Sequence, residues 1–559
     1  MIFLTNRQFI YITMRKKLLF ISALLAATVA RGQNFAIDPT KPVDASEVEI
    51  MAVNVALFEG DSVHIVSPDK VEAAMARRVS AGDVTDGKQE GRALIPKAYL
   101  YSYKYPSVDA DGNRIMLSSM MAIPTDKVGL WGPVRPNNVV IGCHVTITSN
   151  YECPTQYNSD GNYLAVMSDV SMQICYTRND FIRQACSLVI MPDYEGYGAT
   201  VDRPHPYLYQ ELTARQVVDA ARYGLAYYNS NVDDSFWASN STFRSFEDGW
   251  KTVCVGYSQG GSVSLATHRF IEENGLADEL HFAGSVCGDG PYDPVEHMRY
   301  YMTDDGETYH GSNRTAHKKE SVSMPIVMPL ILKGMCDRNP FMRQHQVSDY
   351  LTEKFLNTGA IVWINSKSEE RKHQFSTGDI TKKFRDMRDN GHSTYTRQEM
   401  QAMFFQDIGD NVHAYLSEML VPEGLAYFRT LEEDGPVPTE RGLMQDLHRA
   451  LASNSLVSGW TPTHRIGFYH STYDTVVPYA NLLSFIRHQK GLKYYNDDWT
   501  RAVKGVSGFT TVGDPSQADV YIIDNHSSND HVNAGRDFYM MGMPAPDYKL
   551  MKWVLEGKK

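Results

Sequence analysis

Short runs of uninterrupted apolar residues alternate, through the middle of the chain, with stretches in which apolar positions recur every three or four residues. Val139-Val140-Ile141-Gly142-Cys143, Ser187-Leu188-Val189-Ile190-Met191, Thr252-Val253-Cys254-Val255-Gly256 and Phe282-Ala283-Gly284-Ser285-Val286 read as buried strands. Between residues 211 and 228, Leu212, Val217, Ala221 and Leu225 repeat at helical spacing, with Val218 and Tyr228 close by. Strands alternating with helices predict a parallel sheet with right-handed crossovers. Upstream, residues 98–105 and 115–123 carry strand signals around Asp109-Ala110-Asp111-Gly112-Asn113, a turn cluster that predicts a hairpin. Its Asp-x-Asp-Gly hints at a calcium loop, but Met120 stands where such a loop needs Glu, so a plain turn is expected.

The rhythm breaks near Pro294. Residues 295–461 are rich in Met and mainly helical in pattern, over 347–356, 397–405, 412–420 and 442–452. Strand signals resume at Arg465-Ile466-Gly467-Phe468-Tyr469 and at Val520-Tyr521-Ile522-Ile523. One α/β domain, 98–294 with 462–559, is therefore expected to be interrupted by a helical insertion over 295–461. Residues 33–97 form an N-terminal extension with mixed helical signals, including a short amphipathic helix over 71–79.

The first 32 residues read as an address. Met14-Arg15-Lys16-Lys17 is a basic segment, and residues 18–30 form an apolar run ending in small residues, with cleavage after Ala30 or Gly32. Thirteen helical residues would rise only about 20 Å, short of a ~30 Å hydrocarbon core. Met14 makes the natural start, with 1–13 an upstream extension. Removing residues 1–32 takes away five basic residues and no acidic one, which moves the formal charge from −12 to −17. An exported, acidic protein with no membrane span after cleavage is expected. Such a charge repels nucleic-acid phosphate and excludes that partner class. With 43% hydrophobic residues, 33 Tyr and 22 Phe, the chain also has ample core material, which excludes disorder as its main state. Seven Cys carry no zinc-type spacing; Cys254 and Cys287 sit in strand-like runs and are expected as free buried thiols, whereas Cys153, Cys175 and Cys186 are the candidates for a bridge.

Chemistry concentrates at Gly256-Tyr257-Ser258-Gln259-Gly260, a G-x-S-x-G directly after a strand and before a helix. In that context Ser258 is lifted above the sheet edge by a tight turn, glycines remove Cβ clashes, and the helix N-terminus favours developing negative charge. A serine needs a base, and the base an orienting acid. Asp474, in the polar loop after the strand at 465–469, is the expected acid. Two histidines follow the next strand: His526 abuts its end, and His531 stands at the mouth of a helix with small residues behind it. His531 is the favoured base. One oxyanion N–H is expected from Gln259, the other from Val145 or Thr146 in Cys143-His144-Val145-Thr146, with His144 a supporting hydrogen-bonding residue.

These residues in this order resemble the α/β-hydrolase superfamily. Pro192-Asp193-Tyr194-Glu195-Gly196-Tyr197-Gly198 looks like a turn of exported secretory-lipase-like esterases, with Asp193 and Tyr194 as its scaffold. Cys143-His144-Val145-Thr146 is similar to their His-Gly-Thr-type oxyanion loop, with Val145 where Gly is usual. The resemblance implies an α/β-hydrolase fold with a large helical cap and hydrolysis of a small-molecule carboxylic ester through an acyl-enzyme, with no metal and no organic cofactor. A serine peptidase acting on short peptides is the alternative, which acidic or amine-binding residues in the insertion, such as a Glu pair gripping an N-terminus, would mark; sequence alone does not place Glu369 and Glu370 there. A non-catalytic binding module on the same scaffold is a third class. Met324, Met328, Met335, Phe341 and Met342 are candidates for an adaptable apolar pocket, or for core filling.

Overall fold

The structure is a computed structural model that describes residues 38–59, 62–71, 73, 95–124, 134–156, 163–164, 169–177, 186–235, 242–303, 318–406, 412–501, 507–510, 517–526, 530–539 and 545–556. The leader segment and nearly all of the helix expected over 71–79 lie outside these residues.

Thirteen strands make one sheet. Its parallel part contains β5 (Asn138–Cys143), β7 (Ser187–Pro192), β8 (Lys251–Tyr257), β9 (Phe282–Gly288), β13 (Arg465–Ser471), β14 (Tyr494–Arg501) and β16 (Val520–Asn525), in the spatial order β14-β16-β13-β9-β8-β5-β7. Beyond β7 the sheet turns antiparallel through β4 (Arg114–Pro124), β3 (Ile95–Val108), β1 (Glu49–Glu59), β2 (Ser62–Val66) and β6 (Tyr163–Leu164), and β15 (Ser507–Thr510) closes the opposite edge. The β3–β4 hairpin turns where expected: Asp109 accepts from the N–H groups of Asp111 and Asn113 (both 3.0 Å), and its other carboxylate oxygen takes Arg203 (2.8 Å).

Alternate residues of the central strands feed two faces. Val139, Ile141 and Cys254 join a cluster with the helices Gln210–Ser230 and Gln259–Glu273; Val140, Val253 and Val255 pack against Pro546–Glu556 on the other face. Cover on both sides is why these strands are continuously apolar.

The N-terminal extension departs from its helical reading. Residues 49–59 contain good helix formers, yet β1 pairs with β3 across nine registered positions and with β2 across five. Long-range pairing and burial of Val55, Leu57 and Phe58 override a weak local preference.

The segment from Pro294 to Trp460 folds around its own cluster of Met, Leu and aromatic side chains. Two of its expected helices are interrupted. Over 347–356 there is a 3₁₀ turn, then a bridge from Leu351 to Leu420, then the short helix Glu353–Leu356. Over 412–420 the chain starts as β12 (Val412–Tyr415), paired with β10 (Ser321–Ser323) and β11 (Phe404–Gln406), and only then turns helical at Leu416–Met419. Both breaks come from partners distant in sequence, which local periodicity does not register.

No disulfide joins any two of the seven cysteines. The expected bridge among Cys153, Cys175 and Cys186 is absent because they occupy separate places. Cys153 packs with Ile147 and Tyr197, Cys175 belongs to the cluster of the second sheet face, and Cys186 immediately precedes β7. Cys254 and Cys287 are the buried free thiols expected.

Candidate active site

Strand register builds the site. Gly256 of β8 is level with Cys143 of β5 and Cys287 of β9, Tyr257 with Gly288, and Tyr469 of β13 also with Gly288. His470 and Ser471 lie beside Asp524 and Asn525 of β16. The C-terminal ends of five parallel strands thus meet along one edge, the usual place for a site in open α/β sheets.

Ser258 sits at the turn between β8 and the helix Gln259–Glu273 with φ 57° and ψ −123°, a conformation costly for a non-glycine residue. Its N–H donates to Gly288 O (2.8 Å), which pins the turn to the neighbouring strand. Three glycines make this approach possible. A Cβ on Gly256 would lie 2.3 Å from Gly260 O, one on Gly260 2.0 Å from Cys143 O, and one on Gly261 2.2 Å from Gly288 O. The helix start is wedged between the ends of β5 and β9, and only glycine fits there.

His531 opens the helix His531–Phe538, whose preceding Asp530 caps it by accepting from Asn533 N–H (2.8 Å). Its Nε2 is 2.8 Å from Ser258 Oγ, and its Nδ1 hydrogen-bonds Asp474 Oδ2. Asp474 Oδ1 accepts from the N–H groups of Val476 (2.8 Å) and Val477 (2.9 Å), which fixes the carboxylate in the turn after β13. Complete burial pushes this carboxyl's pKa up, but the His531 charge and bond and the backbone donors outweigh it and hold it below the usual value. The rival His526 is 42% exposed in its side chain, with its ring nitrogens toward Thr472 (3.0 Å) and Asp498 (3.3 Å). Ser258, His531 and Asp474 are brought together; His526 is not part of that chain of bonds.

The segment after β5 lies against the start of the Gln259 helix, since the space over Gly260 is filled by the carbonyls of Cys143 and His144. Val145 and Thr146 follow directly, and Thr146 Oγ1 bonds Tyr207 Oη (2.8 Å). His144 is buried and stacked on Tyr194 (3.9 Å between ring centres), with Nδ1 2.7 Å from Val145 O and Nε2 3.2 Å from Asp193 O. Burial lowers its pKa to about 4, so the neutral ring donates to one of these carbonyls at a time. Asp193 ties the turn together by accepting from Ser118 (2.6 Å) and from Thr155 N–H (2.8 Å).

No family model and no curated protein matches the chain. Among solved structures it is similar to the rice cell wall degrading esterase LipA from Xanthomonas oryzae, at 15% identity and a TM-score of 0.51, covering 91% of this chain and 99% of that one. A ligand-bound form of the same esterase gives 14% identity and a TM-score of 0.51 over 92% and 98%, and a mutant form gives 15% and 0.52 over 93% and 100%. The chain has the α/β-hydrolase fold.

Around this site, the segment from Pro294 to Trp460 grips the loop that follows β7. Buried Lys367 donates to the carbonyls of Gly196, Val201 (2.9 Å) and Arg203 (2.7 Å). That loop carries His205, whose Nδ1 is 2.8 Å from Glu195 O and whose Nε2 is 3.0 Å from the Gln259 side-chain nitrogen. With Nδ1–H given to Glu195, Nε2 is left to accept from the amide of the residue after Ser258. Ser323 Oγ reaches Thr475 Oγ1 (2.8 Å), and Tyr301 Oη reaches Val476 O (2.6 Å), so the insertion also touches the acid loop.

An apolar cavity lies behind that loop, lined by Leu208, His297, Met298, Tyr301, Met328 and Phe428 among others. Of the candidate pocket residues only Met328 reaches it. Met335 and Met342 are core, Phe341 packs on that core beneath Arg449 (4.8 Å), and Met324 is a turn residue with φ 52°. Glu369 and Glu370 are exposed, and Glu370 pairs with Lys372 (2.8 Å).

Sequence reasoning missed Tyr257, Asp289, His205 and Lys367. Asp289 had a signal: like Asp474, it directly follows an apolar parallel strand, in Cys287-Gly288-Asp289-Gly290. Lys367 and His205 had none, since their roles depend on the insertion folding back.

Proposed function

We propose that the protein is an exported serine hydrolase that cleaves carboxylic esters through an acyl-enzyme on Ser258. The observation that carries this reading is a single His531 ring joining Ser258 Oγ to Asp474 at the C-terminal edge of a parallel sheet. Ser258 Oγ attacks the acyl carbon while its proton passes to His531 Nε2. Asp474 holds Nδ1–H and compensates the imidazolium. The oxyanion is met by the Gln259 N–H, at a helix start where N–H groups have no intrahelical acceptor, and by the Val145 or Thr146 N–H. His531 returns the proton to the leaving alcohol, which departs. Water, deprotonated by His531, then attacks the acyl carbon and frees Ser258.

A small-molecule ester is the substrate class that fits, given the similarity of the fold to an esterase. The peptidase alternative has no amine-gripping pair at Glu369 and Glu370, which face solvent, and is separated from the ester reading by the substrate panel below. The basic and apolar segment at the start of the sequence, and the absence among the described residues of any helix able to cross a membrane, fit export to the periplasm or medium.

The test is intact-mass labelling of the mature protein with a fluorophosphonate, followed by a panel of esters and peptide amides. One adduct is expected on the wild type, none on Ser258→Ala, and a strongly slowed reaction on His531→Ala. Labelling that persists without Ser258 would remove the assignment; turnover of peptides alone would replace ester by amide cleavage.

A further inference from the structure

Beneath the acid lies a second carboxyl that this reaction does not use. Asp289 follows β9 with φ 36°, held there by its N–H to Tyr469 O (3.0 Å), and is fully buried. Its Oδ1 accepts from Ser471 N–H (2.8 Å) and lies 3.1 Å from His470 Nδ1; its Oδ2 is 2.6 Å from Tyr257 Oη. Carboxyl oxygens of Asp289 and Asp474 and a ring nitrogen of His531 lie within 4.8 Å of one another.

Two buried carboxylates so close do not both ionise without a cation to compensate. The groups facing the pair are Tyr257 from β8, His470 from β13, His531 from the helix His531–Phe538, and, one carbonyl away at Val476, His297 and Tyr301 from the insertion. Burial lowers both His470 and His297 to about 4 and keeps them neutral. Among the described residues, no Lys or Arg pairs with either carboxyl. The cluster therefore holds one negative charge and one proton. Donor count decides the partition. Asp474 receives two backbone N–H groups and His531, whereas Asp289 has one unshared donor, the Ser471 N–H, because its other two, Tyr257 and His470 Nδ1, are each shared with a carbonyl (His531 O at 2.7 Å, Ser471 O at 2.9 Å).

We propose that Asp289 is a neutral carboxylic acid that donates a hydrogen bond to Asp474, a positioning residue that extends the chain Ser258–His531–Asp474 by one member. This rests on the hydrolase reading above. Burial first, then the Asp474 charge, push the Asp289 pKa far above the ordinary carboxylate range, in line with a retained proton. The donated bond fixes Asp474 without adding charge. A second anion there would raise the basicity of His531 and slow return of its proton to the leaving alcohol.

The test pairs spectroscopy with kinetics. The infrared difference between wild type and Asp289→Asn at neutral pH should show loss of one protonated-carboxyl C=O stretch, and the same band should be present in Ser258→Ala. Asp289→Ala should lower kcat about 10- to 100-fold, as for loss of a bond to a charged group, with KM little changed. Asp289→Asn, which keeps a neutral donor, should recover at least about tenfold of that loss. Absence of the band, or an Asn variant no better than Ala, would overturn the proposal. If Asp289→Ala fails to fold, the infrared difference decides alone. Labelling away from Ser258 would sink the hydrolase reading, whereas the band in the Ser258→Ala background reports on Asp289 independently.

Discussion

At the C-terminal edge of the sheet, Ser258, Asp289, Asp474 and His531 are each at least nine-tenths buried and are joined by hydrogen bonds to one another or to strand-end backbone. Between Pro294 and Trp460 the interior is instead Met335, Met342, Phe355, Phe384, Met400 and their apolar neighbours, and the segment meets the rest of the chain through apolar packing, at Tyr207, Leu208 and Ala480, as well as through polar staples such as Lys367 and Ser323. The difference teaches where each kind of precision comes from. Strand register places polar groups to within a bond length, because each ladder hydrogen bond fixes the next. Apolar packing tolerates volume-conserving change and fixes position less sharply. Loss of function should accordingly be steep at the edge and graded across the insertion.

Asp474→Asn should cause the largest loss, about 10³- to 10⁴-fold in kcat, because an amide donor facing Nδ1 forces the wrong His531 tautomer. Ester turnover beside a thermal melt checks this, and a melt close to wild type separates chemistry from folding. Gly260→Ala comes next: its Cβ would meet Cys143 O at 2.0 Å, so the turn must shift and stability should fall by about 1–3 kcal/mol or more. Denaturant unfolding and fluorophosphonate labelling rate should fall together; an unaffected variant would mean that the edge is softer than its register implies. Lys367→Met leaves three carbonyls without their cation and should loosen residues 196–205. Hydrogen exchange there should quicken and KM rise several-fold more than kcat falls. An equal fall in kcat would place the staple with the edge group and blur the comparison.

The smallest effect is a pH dependence of stability. Burial pushes Asp547 up to about 7 and Asp193 up to about 6. Both folded values exceed that of an unfolded carboxyl, so the native state keeps protons that the unfolded chain gives up. This stabilisation is complete below about pH 4 and is lost as pH rises through 6 to 7. The melting temperature should be higher at pH 5 than at pH 8, and Asp547→Asn, which still accepts from Tyr176, should flatten part of that difference.

The periodicities made the central strands legible. Residues 139–143, 187–191, 252–256, 282–286 and 465–469 all lie within strands of the sheet, because cover on both faces leaves a continuous apolar run. The turn at Ser258 was equally legible, since its glycine requirement is local. Residues 49–59 and 412–415 were misread as helical in tendency, because their strand state comes from partners far along the chain. The sequence favours His531 over His526 for standing at the mouth of a helix with small residues behind it. What separates them is the capped helix that aims one ring at Ser258 while the other stays exposed beside Asp498.

Local spacing sets the central strands, the place of the tight turn, and the residue types at those strand ends, since each follows from a few neighbouring residues. Tertiary structure alone brings the carboxyls of Asp289 and Asp474 within 4.8 Å of each other and carries Lys367 to the loop after β7. Those outcomes depend on the relative register of β9, β13 and β16 and on an insertion folding back across the sheet edge. Contacts between residues far apart in the chain are set by the packing of whole elements, and no local pattern encodes them.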